Sequence, residues 1–374
     1  MNSSAQAVTK RLISLDVFRG LTIVGMILVN NPGTWSDVYP ALRHAEWHGW
    51  TPTDFIFPFF LFIVGVSTTL SFKKRMDKGD DRKKLFLHAF QRSYIIFGLG
   101  LFLHLFPYFN FSTVRIPGVL QRIAVVYLLA SLIYLYSEFK WQIYISIALL
   151  LLYWAAMALI PVPGYGANNL TAEGNLAAYI DNSLMHGHTW KATWDPEGIL
   201  STFPAVVTTM IGIFTGRWIQ KEKSHYETVS GMFVVGSLLL VVGSIWDMWF
   251  PINKYIWTSS YVIFMGGMAL IFLGVCFYLI EIKNIKWWTQ PFLVYGMNAI
   301  ASFFLSSLVA KLMGIIKLTG ADGKEVSLKG VIFTNVFSGL STPMNSSLFF
   351  ALSYIIFWYL LMLILYKKKI FIKV

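Results

Sequence analysis

The residues best suited to chemistry lie in one short stretch. Arg43-His44-Ala45-Glu46-Trp47-His48-Gly49-Trp50 is followed closely by Asp54, which brings two imidazoles, two carboxylates and two indoles together. Histidine titrates near neutral pH and is the natural general base. An indole beside it either stacks on the apolar face of a sugar or marks a membrane interface. Asp54 has two readings. It caps the helix that follows, where free N–H groups and the positive end of the dipole favour a carboxylate, or it orients a histidine. A zinc site is a further use of the stretch, because the spacing of His44 and His48 puts both on one face of a helix. Gly49, Trp50 and Pro52 oppose a helix there, and the order His-Ala-Glu-Trp-His is not the zinc-protease pattern. No metal is expected.

A second set of polar residues sits inside apolar segments, where ionisable groups are costly and default to a functional reading. Asp16 and Arg19 share a helical face, either as a neutralised ion pair or as part of an anion pocket. Arg92 lies several residues inside its segment, and Arg122 follows Pro117-Gly118 and Gln121. A guanidinium suits phosphate or carboxylate, with snorkelling to the interface as the competing reading. His88 and His104 read as packing residues, and Asn298 is the main midspan polar group.

The elements that must position these residues follow from composition. The chain has 374 residues, 56% hydrophobic, 17% aromatic and 13% charged, about half the charge of a soluble domain. Mean hydropathy is +0.61. These values exclude a soluble enzyme, a disordered chain and a disulfide scaffold, and the single Cys276 precludes an intrachain disulfide. Apolar runs of spanning length fall at 12–31, 54–72, 85–106, 116–137, 141–160, 198–219, 229–250, 256–280, 288–313 and 346–366. The expected fold is all-α, a polytopic membrane protein of about ten transmembrane helices forming a single domain over 1–374. The net charge of +12 does not point to nucleic acid, because its basic residues flank apolar runs. Lys10 and Arg11, the cluster Lys73–Lys84, Arg217, Lys221 and Lys223, and Lys367–Lys369 all fall on one side if both termini are cytoplasmic. Longer outer loops are then expected at about 32–53, 161–197 and 314–345. The polar start, Met1–Lys10, gives no cleavable signal peptide.

With these residues in place, the sequence resembles a known family. Arg11-Leu12-Ile13-Ser14-Leu15-Asp16-Val17-Phe18-Arg19-Gly20, then Asn30, His44-Ala45-Glu46-Trp47-His48-Gly49 and Asp54-Phe55-Ile56-Phe57-Pro58 resemble the heparan-α-glucosaminide N-acetyltransferase family. Arg115-Ile116-Pro117-Gly118-Val119-Leu120-Gln121-Arg122, Asp195-Pro196-Glu197-Gly198, Asn253-Lys254-Tyr255-Ile256-Trp257-Thr258 and Gly296-Met297-Asn298 extend the resemblance along nearly the whole chain. It implies a multi-helix membrane domain that takes acetyl groups from cytoplasmic acetyl-CoA and, in lysosomal members, delivers them to the amino group of terminal glucosamine across the membrane. The chain starts almost at the family's core, without the large lumenal N-terminal region of the lysosomal enzyme. It is therefore similar to the bacterial branch, and a bacterial cytoplasmic membrane with the active histidine outside is expected. Related membrane acyltransferases modify sugar hydroxyls, which keeps O-acetylation open. A homodimer fits the family, although no residue demands one.

The resemblance also assigns roles. The family's active-site histidine falls on His44, as general base or acetyl acceptor, and its nearby asparagine falls on Asn30, as a donor to the developing oxyanion. Asp54 would orient His44. Arg19, Arg92, Arg122 and Gln121 are the candidate contacts of acetyl-CoA, and Trp47, Glu197 and Asn298 those of the acceptor. No glycine-rich phosphate loop is present, so side chains and helix ends must hold phosphates. The competing class is a transporter of a sugar or acylated sugar, which would need paired polar residues near the midplane.

Overall fold

The computed structural model describes residues 12–221, 224–319 and 325–372. Lys10, Arg11 and Lys223 lie outside the described residues. In chain order the helices are α1 (Ile13–Asn30), α2 (Ile56–Met76), α3 (Arg82–Leu105), α4 (Val119–Tyr136), α5 (Phe139–Leu159), α6 (Leu176–Leu184), α7 (Thr202–Lys221), α8 (His225–Asp247), α9 (Ser259–Phe277), α10 (Gln290–Met297) and α11 (Ala299–Ile315). A two-stranded antiparallel hairpin follows, β1 (Lys317–Thr319) and β2 (Glu325–Ser327), then α12 (Leu328–Ile332) and α13 (Pro343–Lys367).

Each expected apolar run falls on helix, and the fold is an all-α polytopic membrane bundle. The count differs in two places. Among the described residues, eight helices are long and apolar enough to cross a membrane, and the pair α10–α11 makes a ninth span only if its 84° bend is one crossing. The remaining run, 198–219, is α7, a 20-residue helix whose apolar content is diluted by Thr202, Thr208, Thr209, Thr215 and Arg217. Three of those threonines are buried. Thr209 donates to the Leu61 carbonyl at 3.1 Å and Thr215 to that of Ile211 at 2.8 Å. Internal backbone partners let a polar helix stand within the bundle.

α7 crosses α2 closely because both helices carry glycine at the crossing. A Cβ on Gly212 would lie 2.0 Å from the Phe62 carbonyl oxygen, and one on Gly65 would lie 2.0 Å from that of Thr209. Small residues at such crossings let backbones approach and pack. Gly212→Leu should therefore destabilise the bundle by about 1–3 kcal/mol or more through overpacking, read as a lower thermal midpoint in detergent. A variant that melts with wild type would refute the close crossing.

The bundle has a basic end and a histidine end. At the basic end, Asp80 pairs with Arg75 (2.8 Å) and Lys84 (2.6 Å) in the α2–α3 turn. The start of α1 is fastened there by the Ser14 amide on Glu281 (3.0 Å), and the bundle closes on Asn298. Its side chain donates to the Ile370 carbonyl (3.1 Å) and accepts from the Ile372 amide (2.8 Å) at the α10–α11 break. Leu12 and Ile372 thus share an end with the Lys73–Lys84 cluster. The three long segments gather at the other end. The Gly33 amide donates to the Ser347 carbonyl (3.1 Å), and Trp47 Nε1 donates to the Leu170 carbonyl (2.8 Å).

Candidate active site

Asp54 sits in a 3-10 turn, Pro52–Phe55, at the mouth of α2, and is 1% exposed. Its two oxygens divide the two readings of the sequence between them. Oδ2 caps the turn, accepting from the Thr51 amide (2.9 Å) and the Ala45 amide (3.1 Å). Oδ1 lies 2.6 Å from His44 Nδ1. A carboxylate only accepts, so Nδ1 carries the ring hydrogen and Nε2 the lone pair. The capped turn also holds the histidine loop, because the Thr51 hydroxyl donates to the Arg43 carbonyl (2.6 Å).

His44 opens onto a cavity of about 280 Å³ whose lining includes Asn30, Arg115, Trp190, Glu197, Lys254 and Tyr255. Asn30 ends α1. Glu197 is held by Arg115, whose Nη2 donates to Glu197 Oε2 at 2.5 Å while the same guanidinium grips Asp195 at 2.6 and 2.8 Å. Lys254 arrives from the α8–α9 connection. Asn253 is fully buried there, and its Oδ1 accepts from the amides of Tyr255 (2.8 Å) and Ile256 (3.1 Å). That tight Asn-centred turn projects Lys254 into the cavity, where Nζ lies 2.9 Å from each ring nitrogen of His44 and 3.7 Å from Asp54 Oδ1.

Burial lowers the His44 pKa below the ordinary histidine value. The bond to Asp54 works against that fall, and the neighbouring ammonium of Lys254 adds to it. Burial likewise pulls Lys254 below the usual lysine range, against the attraction of Asp54 and Glu197. An imidazole in this setting is neutral near pH 7, as a base must be.

Four of the expected site residues therefore meet: His44, Asn30, Asp54 and Glu197. Trp47 does not line the cavity. It stacks on Tyr255 with ring centres 5.4 Å apart and meets Trp194 edge-on, forming the shelf behind the cavity wall. Gln121 and Arg122 border a second, apolar cleft of about 210 Å³ that shares Glu197. There Gln121 meets His104, and Arg122 donates to Ser201 Oγ (2.5 Å) and the Gly198 carbonyl (3.0 Å) and stacks over Trp257. Arg92 lies over Tyr127 between α3 and α4. Arg19 bonds to Asp16 (3.1 Å), Ser67 (2.8 Å) and the Gly296 carbonyl (3.2 Å) near the basic end. Asn298 lies at that end too, engaged with the chain's last described residues. His48 faces Asn253 rather than His44, so the two histidines of the stretch do not converge. Among the described residues no three His, Cys, Asp or Glu side chains gather into a group able to hold a metal.

Lys254 is the site residue the sequence did not single out. Its only signal was its place in the Asn253–Thr258 motif; as a lysine between two apolar runs it reads as a loop charge.

Comparison with known proteins adds the lineage. The chain is 26% identical over 420 residues to the heparan-alpha-glucosaminide N-acetyltransferase of Mus musculus, an alignment covering 97% of this chain and 60% of that protein. It is 28% identical over 351 residues to the protein of that name from Homo sapiens, covering 79% of this chain and 52% of the relative. The chain thus spans little more than half the length of these relatives. The catalytic model of that family matches residues 11–245, which hold His44, Asp54, Arg115 and Glu197. On that match, the chain belongs to the heparan-alpha-glucosaminide N-acetyltransferase family.

Proposed function

We propose that the protein is a membrane N-acetyltransferase that moves the acetyl group of acetyl-CoA onto the amine of an amino sugar at the histidine end. The observation that carries this reading is the pair His44–Asp54 at the rim of a cavity, with the imidazole held neutral and its ring hydrogen committed to the carboxylate. The amine attacks the thioester carbonyl. As the C–N bond forms, its proton passes to His44 Nε2, and as the C–S bond breaks the thiolate of CoA departs. Asp54 stabilises the imidazolium so formed, and the Asn30 amide is the nearby donor for the oxyanion. Direct transfer needs no acetyl-histidine and gives His44, Asp54 and Asn30 each a part.

The lysines and arginines of the basic end favour a cytoplasmic position for it, and the histidine end would then face outside. Acetyl-CoA would enter from the basic end. Arg19 lies about 16 Å below Asn30 along α1, at 1.5 Å per residue, and Arg92 stands at mid-depth, so both flank the route of the donor's arm. Glu197 and Trp190 at the cavity wall suit an amino sugar, the carboxylate for its ammonium or hydroxyls and the indole for its apolar face.

The test is transfer from labelled acetyl-CoA to glucosamine and to N-acetylglucosamine by the purified protein. A hydroxylamine-stable label on glucosamine alone is expected. A hydroxylamine-labile product would mean O-acetylation. Bound acetyl-CoA without transfer would overturn the acceptor, and no binding at all would overturn the acetyltransferase in favour of a transporter.

A further inference from the structure

We infer that Lys254 is a positioning residue of this site: its ammonium, tethered by Asp54 against the His44 ring, keeps the imidazole neutral while its ring hydrogen faces the carboxylate. Three observations carry this. Lys254 Nζ is 2.9 Å from both nitrogens of His44, closer than to any carboxylate, with Asp54 Oδ1 at 3.7 Å. Its side chain is only 13% exposed, so water screens the charge weakly. The Asn253 turn fixes where it points, since Asn253 also accepts from the Tyr255 and Ile256 amides and its own amide donates to Thr258 (3.0 Å).

A lysine that merely balanced Asp54 would sit on the carboxylate. This one sits on the base. A second positive charge at that distance opposes protonation of the ring, because like charges penalise the charged form. The other ionisable groups around His44 act in the opposite sense or are engaged elsewhere. Asp54, on the turn before α2, and Glu197, on the α6–α7 connection, both favour imidazolium. Arg115, from the α3–α4 connection, is bound to Asp195 and Glu197. Tyr255, beside Lys254, donates its hydroxyl to the Ala45 carbonyl (3.0 Å). On the histidine's own loop, His48 faces Asn253, the Arg43 guanidinium donates to the Ser36 carbonyl (3.0 Å), and Glu46 is exposed. Lys254 is therefore the cation that offsets two carboxylates. Remove it and the sign is fixed: Asp54 and Glu197 act alone, imidazolium is favoured, and the histidine midpoint rises. The base is then spent at a pH where the wild type still works.

The inference rests on His44 being the base of acetyl transfer, and its test separates the two. The His44 ring is titrated by NMR in the purified protein without substrate, its signal assigned by comparison with His44→Ala, in wild type, Lys254→Met and Lys254→Arg. The wild-type midpoint is expected below that of an ordinary histidine, the methionine variant's above the wild type's, and the arginine variant's close to wild type. In parallel, kcat/KM for acetyl transfer is followed against pH. Lys254→Met should lose severalfold more activity than wild type between pH 8 and pH 6, because its base is protonated at a higher pH, and Lys254→Arg should retain most of the wild-type profile. An unmoved His44 midpoint in Lys254→Met would overturn the proposal whatever the activity. A shifted midpoint in a protein that transfers no acetyl group would support the role of Lys254 and sink the acetyltransferase reading instead.

Discussion

His44→Ala should lower acetyl-transfer turnover by about 10²–10⁴-fold, the usual worth of a positioned general base, or about 3–5 kcal/mol of barrier. The loss should fall on kcat. The residues proposed to hold the donor lie deeper in the bundle, so KM for acetyl-CoA should change little, which is the signature of an interaction made in the transition state. The fold should survive. His44 is 36% exposed, and Asp54 keeps its cap contacts with the Thr51 and Ala45 amides and keeps Lys254 as its nearest cation once the ring is gone. The measurement is steady-state kinetics on protein of matched yield and thermal midpoint. Unchanged turnover would remove His44 from the chemistry, and a collapse in thermal midpoint would make it a structural residue.

The polar sites separate into those the sequence could place and those it could not. The region of His44, Asp54 and Asn30 was legible from chemistry and local structure: a histidine-rich stretch at a helix mouth, the capping position that closes it and the end of the preceding helix. The choice of His44 over His48 and of Asn30 over Asn31 came from the family resemblance. Spacing alone left Asp54 undecided between cap and orienter, and it took the geometry to show that each oxygen has its own task. The embedded arginines were not legible. Depth in a helix says that a guanidinium needs a partner, and an empty pocket, a carboxylate and an aromatic face all satisfy that need. Here Arg92 lies over Tyr127, Arg122 over Trp257 and Arg217 over Tyr134, pairings that join residues 35 or more positions apart and leave no mark in the sequence. Lys254 was missed for a related reason: its partner is 210 positions away. α7 is legible by its length alone, because its threonines read as weak hydropathy until their internal carbonyl partners are known.

Arg115→Met tests the scaffold beneath this site, and should cost about 3 kcal/mol or more of stability. Arg115, on the α3–α4 connection, ties down the α6–α7 connection at the histidine end. It binds Asp195 with two parallel bonds and Glu197 with a third, and the Asp195 side chain is fully buried. Its neighbour Ile116 donates its amide to the His188 carbonyl at 2.9 Å. Removing one partner of a buried ionic group leaves the others uncompensated, typically at 3–5 kcal/mol. Asp195 retains the amides of Trp190 (2.7 Å) and Glu197 (2.9 Å), which puts the expected cost at the low end of that range. Glu197 fares worse, for its side chain loses its guanidinium while bordering both cavities. Arg115→Lys should recover only part of the loss, because a single ammonium cannot reproduce the planar fork. Adding Asp195→Asn to Arg115→Met should recover part of it too, since one stranded charge is removed. Thermal midpoints in detergent for the four proteins decide the matter: a double variant no more stable than Arg115→Met would mean that the arginine works through packing, and that charge compensation is not what holds the wall of the cavity in place.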